Sequence, residues 1–331
     1  MSRRLCIVYT MFVLAFASAA SGCSSASAPT PLPHSGAAGI REMPQAKGSW
    51  TTKSPMPTAR ADLAVGVVNG ILYAVGGNSP SCEPLSICNT VEAYDPSSDT
   101  WTTKASMPTA RGWLAMGIVS GILYAVGGVN SSNRYSNAVE AYDPATDTWT
   151  TKASMPTARS SLAVGVVNGI LYAVGGQPGY LKTVEAYNPA TDTWTTEASM
   201  PNGRFGLAAS VLGHKLYTVG GYNHQGSRST VQAYDPTSNT WTGRAHMPTA
   251  RAELAARVDN GRLYAIGGST NGYDFLNTVE AYNPATNTWT AKAPMPTPRD
   301  FLAAGVVNGI LYAVGGFAGE TLSRNEAFTP R

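Results

Sequence analysis

The fourteen residues "AVGVVNGILYAVGG" run from Ala64 to Gly77, return unchanged from Ala163 to Gly176, and return once more, with a single change, ending at Gly316. Apolar and β-branched residues on both sides of Asn-Gly signal a hairpin, two strands joined by a two-residue turn. Further out, Gly-Gly recurs at 76–77, 127–128, 175–176, 220–221, 267–268 and 315–316, and Trp at 50, 101, 149, 194, 241 and 289. The Trp spacings are 51, 48, 45, 47 and 48, and the segments from each Gly-Gly to the next Val-Glu/Gln-Ala-Tyr string are 13, 10, 7, 9 and 10 residues long. The two series differ by 38 every time, so all length variation falls in one loop per repeat.

Each repeat parses into four strands: A "LAVGVV", B "ILYAVGG", C "VEAYDP" and D "DTWTTKASMP". Four antiparallel strands at this period indicate a β-propeller blade. The Gly-Gly after "LYAV", the Tyr of "EAYDP" and the Trp seven residues beyond it resemble kelch repeats, and the likeness covers Trp50 to Pro330. The expected fold is therefore all-β, a six-bladed kelch β-propeller with four antiparallel strands per blade. The propeller is expected over 49–331, with blades at about 61–107, 112–155, 160–200, 205–247 and 252–295 and a composite sixth of 300–330 plus 49–57. The last copy ends after strand C, while the first residues of the repeat region, "SWTTKSPMP", form a lone strand D. Ser49–Pro57 should pair beside Asn325–Pro330 and remove an open sheet edge. The paired glycines are expected to let the large rings approach a backbone.

Ahead of the repeats stands an export segment. Arg3 and Arg4 precede the apolar run Leu5 to Ala17, which is too short to span a bilayer. The string Ala20-Ser21-Gly22-Cys23 that follows resembles the lipobox of bacterial lipoproteins, with Ala20 where Leu is usual. The resemblance implies a signal peptide over 1–22, lipidation of Cys23 and anchoring to a bacterial envelope. The alternative is cleavage after Ala17-Ser18-Ala19 and a soluble periplasmic or secreted protein. Residues 23–48, rich in Ser, Ala, Pro and Gly, read as a flexible tether reaching about 25–30 Å. Contact with the membrane is expected only through the anchor.

Charged residues make up 13% of the chain and the net charge is +3, two units of it from Arg3 and Arg4. The basic stripe of a nucleic-acid binder is missing. The four His residues match no metal-ligand spacing, and no nucleophile-elbow or phosphate-loop motif occurs, so no cofactor or metal is expected. Cys82 and Cys88 share the longest B–C loop and should form a disulfide after export.

The six copies form an internal alignment. Arg60, Arg111, Arg159, Arg204, Arg251 and Arg299 close every "MPTAR"-like segment. Identity at every repeat points to packing, with each Arg satisfying carbonyls between blades, rather than to a ring of anion ligands. The differences are elsewhere. Strand direction places the B–C loops and D–A junctions on one face, here called the top. Within the repeat region nine aromatics fall outside repeated slots, and all nine lie there: Trp113, Tyr135, Tyr180, Phe205, Tyr222, Tyr273, Phe275, Phe301 and Phe317. Exposed aromatics on one face suit recognition.

Two residues after each repeated Arg, Asp62, Trp113, Ser161, Gly206, Glu253 and Phe301 should line the channel mouth, flanked by Phe205 and Asp300. Deeper, Arg257 intrudes in a slot otherwise filled by Gly or Ser, and either grips a ligand or pairs with Glu253 or Asp259. The expected binding set is Asp62, Trp113, Tyr135, Phe205, Tyr222, Glu253, Arg257, Asp300, Phe301 and Tyr273. The expected function is non-catalytic recognition of a glycan, a peptide or another protein by a monomer. The kelch resemblance also implies alternatives: a sialic acid mutarotase-like enzyme using Glu253 and Arg257, or a purely structural envelope protein. A copper oxidase of the galactose-oxidase type, which needs a Cys–Tyr crosslink and clustered His ligands, is disfavoured, because of the cysteines only Cys82 and Cys88 lie outside the expected export segment.

Overall fold

The computed structural model describes residues 48–82 and 86–330. The expected signal peptide over 1–22, Cys23 and the expected tether up to residue 47 lie outside the described residues. Six four-stranded antiparallel sheets follow one another along the chain. In the first blade, strand A is Ala64–Val68, B Ile71–Val75, C Val91–Asp95 and D Thr100–Lys104, in that order across the sheet. The A–B turn is Asn69-Gly70 with φ of 51° and 79°, the pair of positive values that a tight hairpin between twisted strands requires. The composite blade closes the ring: Ser49–Thr52 pairs with Asn325–Thr329 in the register Trp50 to Phe328.

Six apolar clusters, each shared by two neighbouring blades, make up the core. Strand B Tyr73 meets strand C Tyr142 of the next blade at 5.8 Å between ring centres, and Tyr94 meets Tyr312 across the closure at 5.7 Å. Each Trp indole then donates to a carbonyl of the preceding blade: Trp101 to Ser54 at 2.9 Å, Trp50 to Ala293 at 2.8 Å. Sequence repetition therefore becomes a repeated interface, and the last interface is made by the two ends of the propeller.

The paired glycines serve a different purpose from the one expected. A Cβ on Gly76 would lie 2.5 Å from the Arg111 carbonyl of the next blade, and one on Gly77 2.6 Å from the Ala61 carbonyl. Backbone meets backbone there, and no ring is involved. Positive φ at both glycines (63° and 101°) carries the chain away from the sheet into the B–C loop.

Candidate functional site

Two slots in each D–A junction build the mouth. The first holds the repeated Arg. All six are fully buried. Arg60 donates to the carbonyls of Gly76 (2.8 Å) and Thr90 (3.0 Å) and to Glu92 Oε2 (2.7 Å). These partners belong to its own blade, so the arginines tie each junction to its own sheet rather than bridging blades. Five blades repeat the Arg–Glu pair at 2.6–2.9 Å, and the Thr of "MPTAR" caps the other carboxylate oxygen, as Thr58 Oγ1 does to Glu92 at 2.8 Å. The fourth blade changes the set together: Arg204 bonds Gln232 Oε1 at 2.9 Å and Thr218 Oγ1 at 3.1 Å. Burial, and then the neighbouring Arg228, lower the Arg204 pKa to about 10.

The second slot lies two residues on. Asp62, Trp113, Ser161, Glu253 and Phe301 have φ of 57°, 53°, 47°, 53° and 51°, and Gly206 has 59°. Their backbones form a closed circuit. Trp113 N–H donates to the Asp62 carbonyl (2.9 Å), Ser161 to Trp113 (2.9 Å), Gly206 to Ser161 (2.9 Å), Glu253 to Gly206 (2.8 Å), Phe301 to Glu253 (2.9 Å) and Asp62 to Phe301 (3.0 Å). Six hydrogen bonds thus ring the channel and hold five side chains and Gly206 around a cavity of about 110 Å³, floored by a leucine from each blade. The left-handed conformation costs a residue with a Cβ on the order of 1 kcal/mol, so glycine would be cheapest in every slot. Only Gly206 takes that option, and there a Cβ would strike the Glu253 carboxylate.

The acidic residues gather on one arc of the ring, on the fifth, sixth and first blades. Asn78 Nδ2 donates to Asp62 Oδ2 at 2.7 Å, while Asp62 Oδ1 and both Asp300 oxygens are buried without a hydrogen-bond donor in bonding geometry. Asp300 is completely buried. Burial pushes Asp62 up to about 8, opposed by Asn78 and aided by Asp300. Burial raises Asp300 to about 7, with Ser269 as the opposing hydroxyl. Glu253 is raised well above the usual carboxylate range by burial, then by Asp62 and Asp300. Near neutral pH the arc therefore holds protons and can both donate and accept hydrogen bonds. Among the described residues no group of His, Cys, Asp or Glu is placed to hold a metal ion.

Outside the ring, the aromatics separate into groups. Phe205 stacks on Tyr180 (5.8 Å between centres, 11° between planes) and contacts Tyr222 at 5.4 Å. Gly203 makes room for this group, since a Cβ there would collide with the Tyr180 carbonyl. Tyr135 Oη donates to Gln177 Oε1 at 3.2 Å, and Tyr273, 65% exposed, stands apart from the mouth. Cys82 and Cys88 are bonded, with Cα atoms 5.3 Å apart. Sequence reading missed Asn78 and Ser269. Both occupy the slot after Gly-Gly, which varies from copy to copy between constant neighbours.

Arg257 makes neither pairing considered for it. It donates to its neighbour's carbonyl, Ala256 O (2.8 Å), and to Val65 O on the first blade (3.1 Å), whereas Asp259 accepts from Asn260. The slot is small elsewhere for interface reasons: a Cβ on Gly66 would lie 2.6 Å from Leu123 of the next blade. An arginine fits only by leaving that interface for the channel.

A six-bladed ring of four-stranded sheets with a variable mouth defines a β-propeller of the repeat type. Residues 151–316 match the profile described as "KLHDC2/KLHL20/DRC7 Kelch-repeats domain", and 59–108 and 114–156 match "Kelch motif". The chain belongs to the kelch-repeat family. It is 35% identical over 90 residues to Kelch-like ECH-associated protein 1B of Danio rerio, covering 27% of this chain and 15% of that protein. It is 44% identical over 78 residues to the influenza virus NS1A-binding protein homolog of Mus musculus, covering 23% and 11%. It is 36% identical over 89 residues to Kelch-like protein terF of Aspergillus terreus, covering 26% and 19%. The chain thus matches less than a fifth of the length of these relatives. The solved structure described as "Structure of YjhT" superposes with a TM-score of 0.71 at 18% identity, covering 83% of this chain and 96% of that one, a likeness of fold.

Proposed function

We propose that this propeller is a binding module that recognises a glycan or peptide at its top-face mouth, carried to a bacterial envelope by its export segment and Cys23. The observation that carries the reading is the ring itself. Five of its six positions hold side chains in a conformation that glycine would adopt more cheaply, and those side chains are an aromatic pair, two acids and a serine. Strain kept at a concave site whose identity varies between copies is an argument for use. Trp113 and Phe301 supply flat apolar faces, and the protonated carboxyls of Asp62 and Glu253 supply hydrogen bonds of both senses, a combination suited to a polyhydroxyl ligand or a peptide; Asp300, completely buried, stands behind them rather than facing a ligand.

The test is a glycan and peptide array probed with the full chain. Trp113→Ala should weaken capture by about 2 kcal/mol or more, the size of an aromatic anchor at a site centre. Lys215→Ala, at an A–B turn on the far face where Lys215 pairs with Asp235, should change nothing. A ligand sensitive to Lys215 and indifferent to Trp113 and Glu253 would place recognition on the other face.

A further inference from the structure

Below the leucine floor the channel contains a single charged side chain with no carboxylate partner among the described residues. Arg257 stands between two cavities. The one toward the mouth is about 130 Å³, and the one on the A–B turn side is about 390 Å³. The larger is walled by Val67, Val166, Val211 and Val306 among other apolar residues, and Arg257 is the one charged residue lining it. Two of the guanidinium's hydrogen bonds go to Ala256 O and Val65 O, leaving most of its five N–H donors for the channel. Arg257 is half-buried, and a guanidinium partly withdrawn from water without a countercharge is less stable than one that has it.

We propose that this lower cavity is a binding site for a short-chain monocarboxylate, held by its carboxylate on Arg257 and by its alkyl tail on the valine walls. One cation calls for one negative charge. The planar fork of the guanidinium matches a carboxylate's two oxygens, and the largely apolar side chains of the walls, with Ser210 the other polar one, offer little to a strongly hydrated ion. The sequence of the other blades supports a specific role. The same slot holds Gly66, Gly117, Gly165, Ser210 and Gly305, so the fold does not require arginine there. The site is independent of the mouth, which lies beyond the leucine floor.

The experiment is calorimetric titration of the full chain with acetate, propionate, butyrate and valerate, and with chloride. Affinity should rise about fourfold for each added CH₂, the ratio that burying one methylene gives, and chloride should bind far more weakly than butyrate. Arg257→Gly, which installs the residue of four other blades, should fold and lose butyrate binding at least tenfold, and Arg257→Ser should do the same. Trp113→Ala should retain it. Equal binding by the parent and both Arg257 variants would overturn the site. Chloride binding as tightly as butyrate, with no dependence on chain length, would overturn its assignment to carboxylates.

Discussion

Arg60 and Asp62 stand two residues apart, and the contrast between their slots recurs in every blade. The arginine slot has one residue type in six copies, no exposure, and in five of the six the same glutamate partner. The slot of Asp62 has one backbone conformation in six copies and six different residues. In the first slot the side chain is part of the scaffold. In the second, only the backbone is, because the ring of N–H to carbonyl bonds closes whatever the side chain. A repeat protein can therefore vary a surface freely where its architecture is satisfied by main chain alone.

The largest expected effect comes from breaking the first slot. Glu92→Ala leaves Arg60 buried without its carboxylate, and removing one partner of a buried pair typically costs about 3–5 kcal/mol. Denaturant unfolding should show that loss. A loss under about 1 kcal/mol would mean that the carbonyls alone satisfy the guanidinium.

Next is pH. The folded carboxyls of Asp62, Asp300 and Glu253 have raised pKa values, to about 8, about 7 and well above normal. Between roughly pH 4 and 8 the folded chain holds protons that the unfolded chain has released, so stability is greatest on the acid side and falls as pH rises through that window. The drop from pH 5 to 9 should be on the order of 2 kcal/mol, allowing for screening at the partly open mouth. Asp300→Asn should flatten the profile. Melting curves in a pH series read this directly, and a profile that is flat in the parent contradicts the buried acidic arc.

A smaller gain is expected in the fourth blade, whose first slot lacks a carboxylate. Gln232→Glu gives Arg204 the countercharge its five counterparts have, and should stabilise by about 1 kcal/mol. Smaller still is the effect of Trp113→Gly. Relief of the left-handed strain should balance the lost contacts, leaving stability within about 1 kcal/mol of the parent.

The fold was legible because it is written in constant distances. The 38-residue remainder, Asn-Gly at the turns and the lone strand D ahead of the repeats together specify six blades and their closure. The ring's residues were legible as the varying slot two after each Arg, and they line the mouth, but its left-handed backbone and closed hydrogen-bond circuit were not. Positive φ announces itself through glycine, and here Trp113, Phe301 and Glu253 occupy the positions where glycine would have been the signal. The Arg–Glu pair could have been read, since "MPTAR" and "EAY" repeat together and change together at Asn202 and Gln232. The partner of Arg257 could not, because Val65 is 192 residues away and is engaged through its carbonyl, which carries no residue-specific signature.

The most direct test of the difference between the two slots is one variant with Asp62, Trp113, Glu253 and Phe301 all changed to Gly, compared with the parent in melting temperature and in array capture. Left-handed glycines relieve strain on the order of 1 kcal/mol per site, and two half-buried acids are removed. The expected result is a protein that melts no lower than the parent and captures none of its ligands. A variant that melts many degrees lower, or that still captures the parent's ligand, contradicts the account.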